Sequence, residues 1–528
     1  MRAETIPYVH VNDIEPEPLT YDDAMKSKYK AAWEQAMSVE LAGLRATGTF
    51  QSTEKPTDRK AIGAKWVFKY KTDHEGYVVK AKARLVAKGF SQVEGVDYLE
   101  TFAPTPATSS VRLLAAFACE HDLDMFHFDA EQAFIQAELQ EEINMRLPPG
   151  CDDDSAHVVR LNKSLYGLKQ AGREWNALLS ATLKGLGFTQ HLADPCIFRL
   201  MEGSSVKVIL AVHVDDMIVL GTKKDCDHLR DLLSKSFPTK NLGELNWYMC
   251  CLYERNRSKG TLKISQLAFA DVLLERFDVQ SESPIPACPT VELSPRNSDE
   301  PVSEQPYKEA VGCLLWLANI TRPDIADSVR AVARYNIDPG VSHWRAVRKI
   351  LAYVAGTRDF GLTFRKGTGG NLTAFADASY APKSDERKSV SGGSIQYAGS
   401  SIMWFSRTQK AVTLSSTEAE YIVVGECVKE VLFLRGILEF FDPGQSMIGI
   451  PIFEDNVGAI KLAENPLSSA RSRHIDVRHH FIRKLCADGV IKMVYVPTEE
   501  QHADVLTKSL GLPSFVRHRN ALMNVTSE

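Results

Sequence analysis

Two adjacent aspartates, Asp215 and Asp216, stand between the aliphatic runs Val206–Val212 and Met217–Leu220. The flanks are β-branched and apolar, the signature of two buried strands, so the carboxylates are forced side by side in a tight hairpin. Like charges that close repel and burial raises the cost, so such a pair persists where a cation neutralises it. Hard oxygen ligands point to magnesium rather than zinc. The bland alternative is an exposed Asp-Asp turn. Asp129 closes a strand expected over 123–129 and precedes a helix expected over 130–139. A metal-binding carboxylate suits that place, and an N-cap aspartate looks the same locally. More acids stand at element ends further on: Asp377 after a strand at 371–376, Glu418 and Glu420 in a helix opening near Ser416, Asp455 after a strand at 449–453, and Asp504 where a C-terminal helix opens.

The elements that must position these groups are legible in outline. Met25, Trp33, Met37, Leu41 and Leu44 form an amphipathic stripe from Tyr21 to Arg45, read as a packing helix. From Lys60 to Lys88 two alternating runs meet at Asp73-His-Glu-Gly76, a hairpin with eight Lys and Arg against two acids. Lys65, Lys69 and Lys71 share one strand parity, so one face collects positive charge. Interleaved Trp66, Phe68 and Tyr70 suit a phosphate-facing surface, against the alternative of a merely solvated hairpin. Helices are expected over 108–119 and from Trp175 to Gly185. Arg471, Arg473, His474, Arg478, His479, His480 and Arg483 make a basic stretch. Lacking cysteines or carboxylates at ligand spacing, it ranks as a phosphate-contacting surface before a histidine zinc site.

At 528 residues the chain exceeds one hydrophobic core, and about three domains are expected. An apolar share of 44% and a charged share of 24% are those of an ordinary soluble globular protein. Net charge is only −5, so any nucleic-acid surface must be local. Ten cysteines without a CxxC pair argue for reduced thiols, not a disulfide framework. The N-terminus lacks an apolar signal core, and no apolar run approaches the ~18 residues of a membrane span. Residues 281–306 carry six prolines among polar residues and read as a linker. A largely helical block follows over 307–357.

Ordered text blocks then make the chain recognisable. They include Lys65-Trp-Val-Phe-Lys, Lys82-Ala-Arg-Leu-Val-Ala-Lys-Gly-Phe, Phe128-Asp-Ala-Glu-Gln-Ala-Phe, Ser164-Leu-Tyr-Gly-Leu-Lys-Gln-Ala and Val214-Asp-Asp-Met. They continue with Asn241-Leu-Gly-Glu-Leu, Thr321-Arg-Pro-Asp-Ile, Ser415-Ser-Thr-Glu-Ala-Glu-Tyr, His474-Ile-Asp-Val-Arg-His-His-Phe and Ala503-Asp-Val-Leu-Thr-Lys. In this order the set resembles the reverse transcriptase and RNase H portion of Ty1/copia-type retrotransposon polyproteins, over about residues 20–512. The resemblance implies an α+β right-hand polymerase with fingers, palm and thumb, then a helical connection and an RNase H-like α/β domain. The boundaries it suggests are a lead-in and packing helix at 1–55, reverse transcriptase at 56–280, linker at 281–306, connection at 307–357, RNase H-like domain at 358–512 and a tail at 513–528.

It further implies that Asp129, Asp215 and Asp216 are catalytic metal ligands of the polymerase, and Asp377, Glu420, Asp455 and Asp504 those of the nuclease. Glu418 competes with Glu420, and the spacing before Tyr421 favours Glu420. Two Mg²⁺ per site are expected, with Mn²⁺ as the alternative ion. Lys71 and Arg84 would neutralise the triphosphate, Gln170 would lie beside the incoming nucleotide, and Phe134 would sit beneath its sugar. His213 departs from the family, which has Tyr or Phe there; a ring at that place is similar to one resting against the primer end. The implied partners are an RNA template, a DNA primer, the RNA-DNA hybrid and dNTPs, with element-encoded capsid and integrase and no membrane. The implied location is a cytoplasmic virus-like particle, with the nucleus as alternative. Without protease or integrase text, the chain reads as a processed unit, a fragment or a mis-bounded gene product. The competing expectation is a decayed or host-retained element product that binds nucleic acid with one activity or neither.

Overall fold

The computed structural model describes residues 6–54, 60–73, 76–151, 158–380, 387–410, 412–445, 447–464 and 476–525. The basic hairpin is the strand pair Ile62–Thr72 and Val78–Ala87 at one edge of a five-stranded sheet. Strict alternation buries Ile62, Ala64, Trp66, Phe68 and Tyr70, where the helix Lys30–Ala46 lays Trp33, Met37, Leu41 and Leu44 against them. The opposite face therefore collects Lys65, Lys69 and Lys71. Register adds Lys80 opposite Lys71, Lys82 opposite Lys69 and Arg84 opposite Val67. The interleaved aromatics are thus core, with Trp33 against Phe68 at 5.3 Å and Tyr70 at 5.1 Å, and do not belong to the charged surface.

The second sheet is antiparallel throughout. Its order is Thr239–Glu244, Met125–Ala130, Asp216–Leu220, Ser205–His213, Ile197–Glu202, Thr189–Gln190. Helices Ala171–Gly185 and Lys223–Leu233 cover one face through Trp175, Leu179, Leu183 and Leu229. The helix Thr108–Glu120 joins the core on the other side, buried from Ser109 to Cys119. Its own Thr and Ser residues do not cap it; Asp194 does, accepting from Ala107 N at 3.1 Å and Ser110 Oγ at 2.6 Å.

Three expectations change. The helix over 130–139 is absent: Gln132 turns left-handed (φ +53°), a 3₁₀ turn covers Ala133–Gln136, and a strand runs from Glu138 to Arg146. Buried Ile143 and Met145 in that strand pair with Val158–Lys163, and this pairing wins over local helix propensity. The C-terminal helix opens only at Leu512; His502–Leu506 is a 3₁₀ segment. The proline-rich stretch, finally, is a strap. Leu293 O accepts from Tyr335 Oη and Ser294 O meets His343 Nε2, both at 2.8 Å, while Arg296 pairs with Asp338 at 3.0 Å.

Beyond the strap come helices Tyr307–Ile320, Ala326–Ala333 and Val341–Ala355. Next, Gly361–Arg365 pairs with Thr261–Ser265, completing a sheet begun by Trp247–Tyr248 and Cys251–Asn256. A boundary at 357/358 therefore cuts through a sheet, and one apolar core runs from Val111 to Met523. The last sheet has the order Ser400–Thr408, Val390–Tyr397, Thr373–Ser379, Ile450–Glu454, Ile491–Tyr495. Its first three strands are antiparallel and the last two join in parallel. The helix Ser416–Phe441 packs on it through Val424, Cys427 and Val431. No helix among the described residues is long and apolar enough to cross a membrane.

Candidate active sites

The first centre is assembled by strand register. Asp216 opens the strand Asp216–Leu220 directly opposite Asp129, and Asp129 lies within its own strand. Directly opposed residues of an antiparallel pair point to the same face about 4.5–5.5 Å apart. The turn before Asp216 is strained: Val214, β-branched, holds φ +59°. Two bonds hold it there. Trp175 Nε1 donates to Val214 O at 2.7 Å, and Ala130 N donates to Asp215 O at 2.9 Å. Asp216 Oδ1 meets His127 Nε2 at 2.9 Å. His213 faces Asp216 across the hairpin, and Tyr248 presents its ring edge-on to His127 at 5.7 Å and His213 at 6.5 Å.

Burial raises the Asp129 carboxyl above the ordinary range, and Asp215, Asp216 and Glu131 add to it. Burial likewise raises Asp215, with Asp216 adding and Arg84 and His213 opposing. Excess negative charge with so little protein compensation suits a hard dication. Arg84 is the nearby guanidinium, held over the Tyr166 ring at 4.9 Å. Phe134 meets the same ring edge-on at 5.1 Å, and it packs against both adjoining cores. Lys71 stands further out beside Lys80 and Lys82. Gln170, which the resemblance puts beside the incoming nucleotide, is fully buried. Its Oε1 accepts from Gln92 at 3.0 Å, and its Nε2 donates to Asp97 O at 2.8 Å and Glu141 at 3.2 Å. Both of its donors are spent on protein oxygens.

The second centre is tighter. Carboxylate oxygens of Asp377, Glu420 and Asp455 lie within 4.8 Å of one another, the only such trio among the described residues. Asp504 and Lys508 join from the segment after His502, with Lys508 Nζ 2.8 Å from Asp504 Oδ1. Thr507 Oγ1 donates to Asp377, and Thr498 Oγ1 donates to Asp455 at 2.6 Å. Burial, with Glu454, Asp377 and Asp455, pushes the Glu420 carboxyl up to about 11. Burial and Asp377 push Asp504 up to about 7. Glu420 Oε2 and Glu454 Oε2 are buried without a hydrogen-bond partner. Orphaned carboxylate oxygens in a hard-donor cluster fit Mg²⁺ or Mn²⁺. Glu418 does something else: its carboxylate accepts from Leu414 N at 2.7 Å while Ser415 Oγ caps its own N–H at 3.1 Å.

Residues 47–291 match the family described as Reverse transcriptase (RNA-dependent DNA polymerase). A Ty5-1 transposon protein of Saccharomyces cerevisiae is 31% identical over 319 residues, covering 57% of this chain and 100% of its own length. The chain belongs to the reverse transcriptase family of Ty1/copia-type transposon Pol polyproteins. The retrovirus-related Pol polyprotein from transposon TNT 1-94 of Nicotiana tabacum is 36% identical over 518 residues, 96% of this chain. The chain spans 39% of that relative's length and 34% of the Pol polyprotein from transposon RE2 of Arabidopsis thaliana. A solved foamy viral protease-reverse transcriptase in complex with RNA/DNA hybrid aligns over 94% of this chain and 56% of its own, at 10% identity and TM-score 0.49.

Against this Pol family, several site residues went unread in the sequence: Tyr166, His127, Tyr248, Glu454 and Lys508. Two left a signal. Glu454 shares the parity of buried Ile450 and Ile452, and Lys508 follows Asp504 by one helical turn. Of the basic stretch, Arg471, Arg473 and His474 lie outside the described residues, as do the side chains of Arg478, His479 and His480. Arg483 lies on the helix Asp476–Ala487 near Tyr421.

Proposed function

We propose that this chain is an RNA-directed DNA polymerase with a linked RNase H, acting at two separate centres in retrotransposon replication. The sheet bearing the basic hairpin serves as fingers, the sheet bearing Asp129 and Asp216 as palm, and the Trp247–Arg276 region with its sheet as thumb. The helices between 307 and 355 are the connection, and the sheet bearing Asp377 is the RNase H core. The observation that carries the polymerase reading is the register pairing of Asp129 with Asp216 beside Asp215.

Asp129, Asp215 and Asp216 would hold Mg²⁺ at the first centre; Asp377, Glu420, Asp455 and Asp504 would hold it at the second. When bound, the metal supplies Lewis-acid stabilisation of charge on phosphoryl oxygens. The protein does the rest. His127 fixes one oxygen of Asp216 and so keeps the other free. Arg84, braced on Tyr166, offsets triphosphate charge next to Asp215. The Phe134–Tyr166 pair forms a rigid floor for the nucleotide sugar. The Lys65, Lys69, Lys71, Lys80 and Lys82 face lines the path of a template strand by phosphate contact. RNA template, DNA primer, hybrid and dNTPs are thus the substrates, and a cytoplasmic particle is the fitting location.

The test is direct. Purified protein with Mg²⁺ should extend a labelled DNA primer on an RNA template and cut the RNA strand of the resulting hybrid, and EDTA should stop both. Folded protein that binds hybrid yet does neither would leave the nucleic-acid-binding alternative standing.

A further inference from the structure

The second centre contains a feature that the proposed chemistry does not use. Asp377, Glu420, Glu454, Asp455 and Asp504 bring five carboxyl groups together, and all but Asp455 are buried. Among the described residues, Lys508 is the one cation ion-paired with any of them. The link is built into a single turn. Lys508 N donates to Asp504 O at 3.1 Å, its Nζ returns to Asp504 Oδ1 at 2.8 Å, and Thr507 between them donates to Asp377 and, at 3.1 Å, to Asp504 O. The ammonium is therefore aimed into the same group of oxygens that a metal would need. It also has an exit, since 40% of the Lys508 side chain is exposed whereas only 5% of the Asp504 side chain is.

We propose that Lys508 is a placeholder cation: its ammonium neutralises the Asp377–Asp504 side of the cluster when no metal is bound, and it swings out as Mg²⁺ enters. The inference rests on reading this cluster as a metal centre. The ion pair of Lys508 Nζ with Asp504 Oδ1 at 2.8 Å, beside Asp377 on the same turn, carries it. An ammonium and a dication cannot share these oxygens without strong repulsion, because like charges within a few ångströms interact strongly in a poorly solvated site. Protonated lysine thus costs metal affinity and keeps the metal-free fold intact, and the two effects are linked.

The experiment measures thermal unfolding in EDTA and across a Mg²⁺ series. Every protein carries Asp216→Asn, so that the hairpin centre adds little cation response. The expected result is that Lys508→Met unfolds several degrees below its parent in EDTA, that the gap closes at saturating Mg²⁺, and that half-saturation falls about fivefold or more. Lys508→Arg should keep the EDTA stability. Adding Asp504→Asn to Lys508→Met should recover most of the EDTA loss, and this pair decides the matter even if the single variant does not fold without metal. A gap constant at every Mg²⁺ concentration, an unchanged half-saturation, or a double variant no better than the single one would overturn the proposal and leave Lys508 as packing. If the Lys508-containing parent itself shows no Mg²⁺ response, the metal-centre reading fails instead.

Discussion

Phe134 shows how much a single side chain can be asked to do. It lies in a 3₁₀ turn, five residues after Asp129, with its ring edge-on to Tyr166 and its body wedged between two cores. A ring so held cannot yield to a 2′-hydroxyl without repacking that costs about 1–3 kcal/mol. Phe134→Ala should therefore admit ribonucleotides at least ~10-fold more readily relative to deoxyribonucleotides, since ~1.4 kcal/mol is a factor of ten. Single-nucleotide incorporation measures the ratio; an unchanged ratio with a slower overall rate makes the ring plain core. Asp504 gives a second prediction at this scale, in pH. Its folded carboxyl is raised to about 7 by burial and Asp377. A raised carboxyl stabilises the fold below its unfolded value, and that contribution is lost as pH climbs through the folded one. In EDTA, wild type should thus lose stability relative to Asp504→Asn from about pH 4 to about pH 8, by on the order of 4 kcal/mol at most. Parallel unfolding curves for the two proteins across that range would remove the assignment.

The helix Ser416–Phe441 carries two glutamates two residues apart and gives them different work. Glu418 accepts from Leu414 N while Ser415 Oγ caps its own N–H, and Glu420 turns into the acid cluster. Glu418→Gln should keep hybrid cleavage near wild type, and Ser415→Ala should cost about 1 kcal/mol without touching the chemistry. Cleavage lost in Glu418→Gln and kept in Glu420→Gln, assayed on one hybrid, would reverse the assignment. This distinction was legible in the sequence, because the spacing of Glu420 before Tyr421 is local. So were the hairpin of Asp215 and Asp216, the packing stripe of Trp33 to Leu44, and the positive parity of Lys65, Lys69 and Lys71. What stayed hidden depends on distant partners. The run Ala130–Leu139 has helical composition, but the strand Glu138–Arg146 is claimed by Val158–Lys163. The resemblance puts Gln170 beside the nucleotide, and only the fold shows its bonds to Gln92, Asp97 and Glu141. Six prolines suggest a free linker, whereas carbonyls of Leu293 and Ser294 tie the stretch to the helices beyond.

At the scale of the whole molecule the two centres have separate carboxylates and a shared frame. The strand Gly361–Arg365 completes a sheet begun before the strap, and a Cβ on Gly361 would lie 2.1 Å from Ile264 O. Arg112, on the helix Thr108–Glu120, donates to Asn319 O and Ile320 O at 3.0 and 2.9 Å and stacks on Trp404 at 4.0 Å. Gly361→Ala should accordingly destabilise the protein by roughly 1–3 kcal/mol or more and lower synthesis and cleavage together as temperature rises. Loss of one activity alone would show that the seam does not couple the halves. The chemistry, by contrast, should separate. The decisive measurement follows primer extension and RNA cleavage on one doubly labelled template-primer with Mg²⁺, for wild type, Asp216→Asn and Glu420→Gln. Asp216→Asn should abolish extension and keep cleavage, and Glu420→Gln should do the reverse, since an amide keeps the shape and removes the charge a dication requires. Loss of both activities in either variant, with its unfolding temperature unchanged, would contradict two independent centres in this chain.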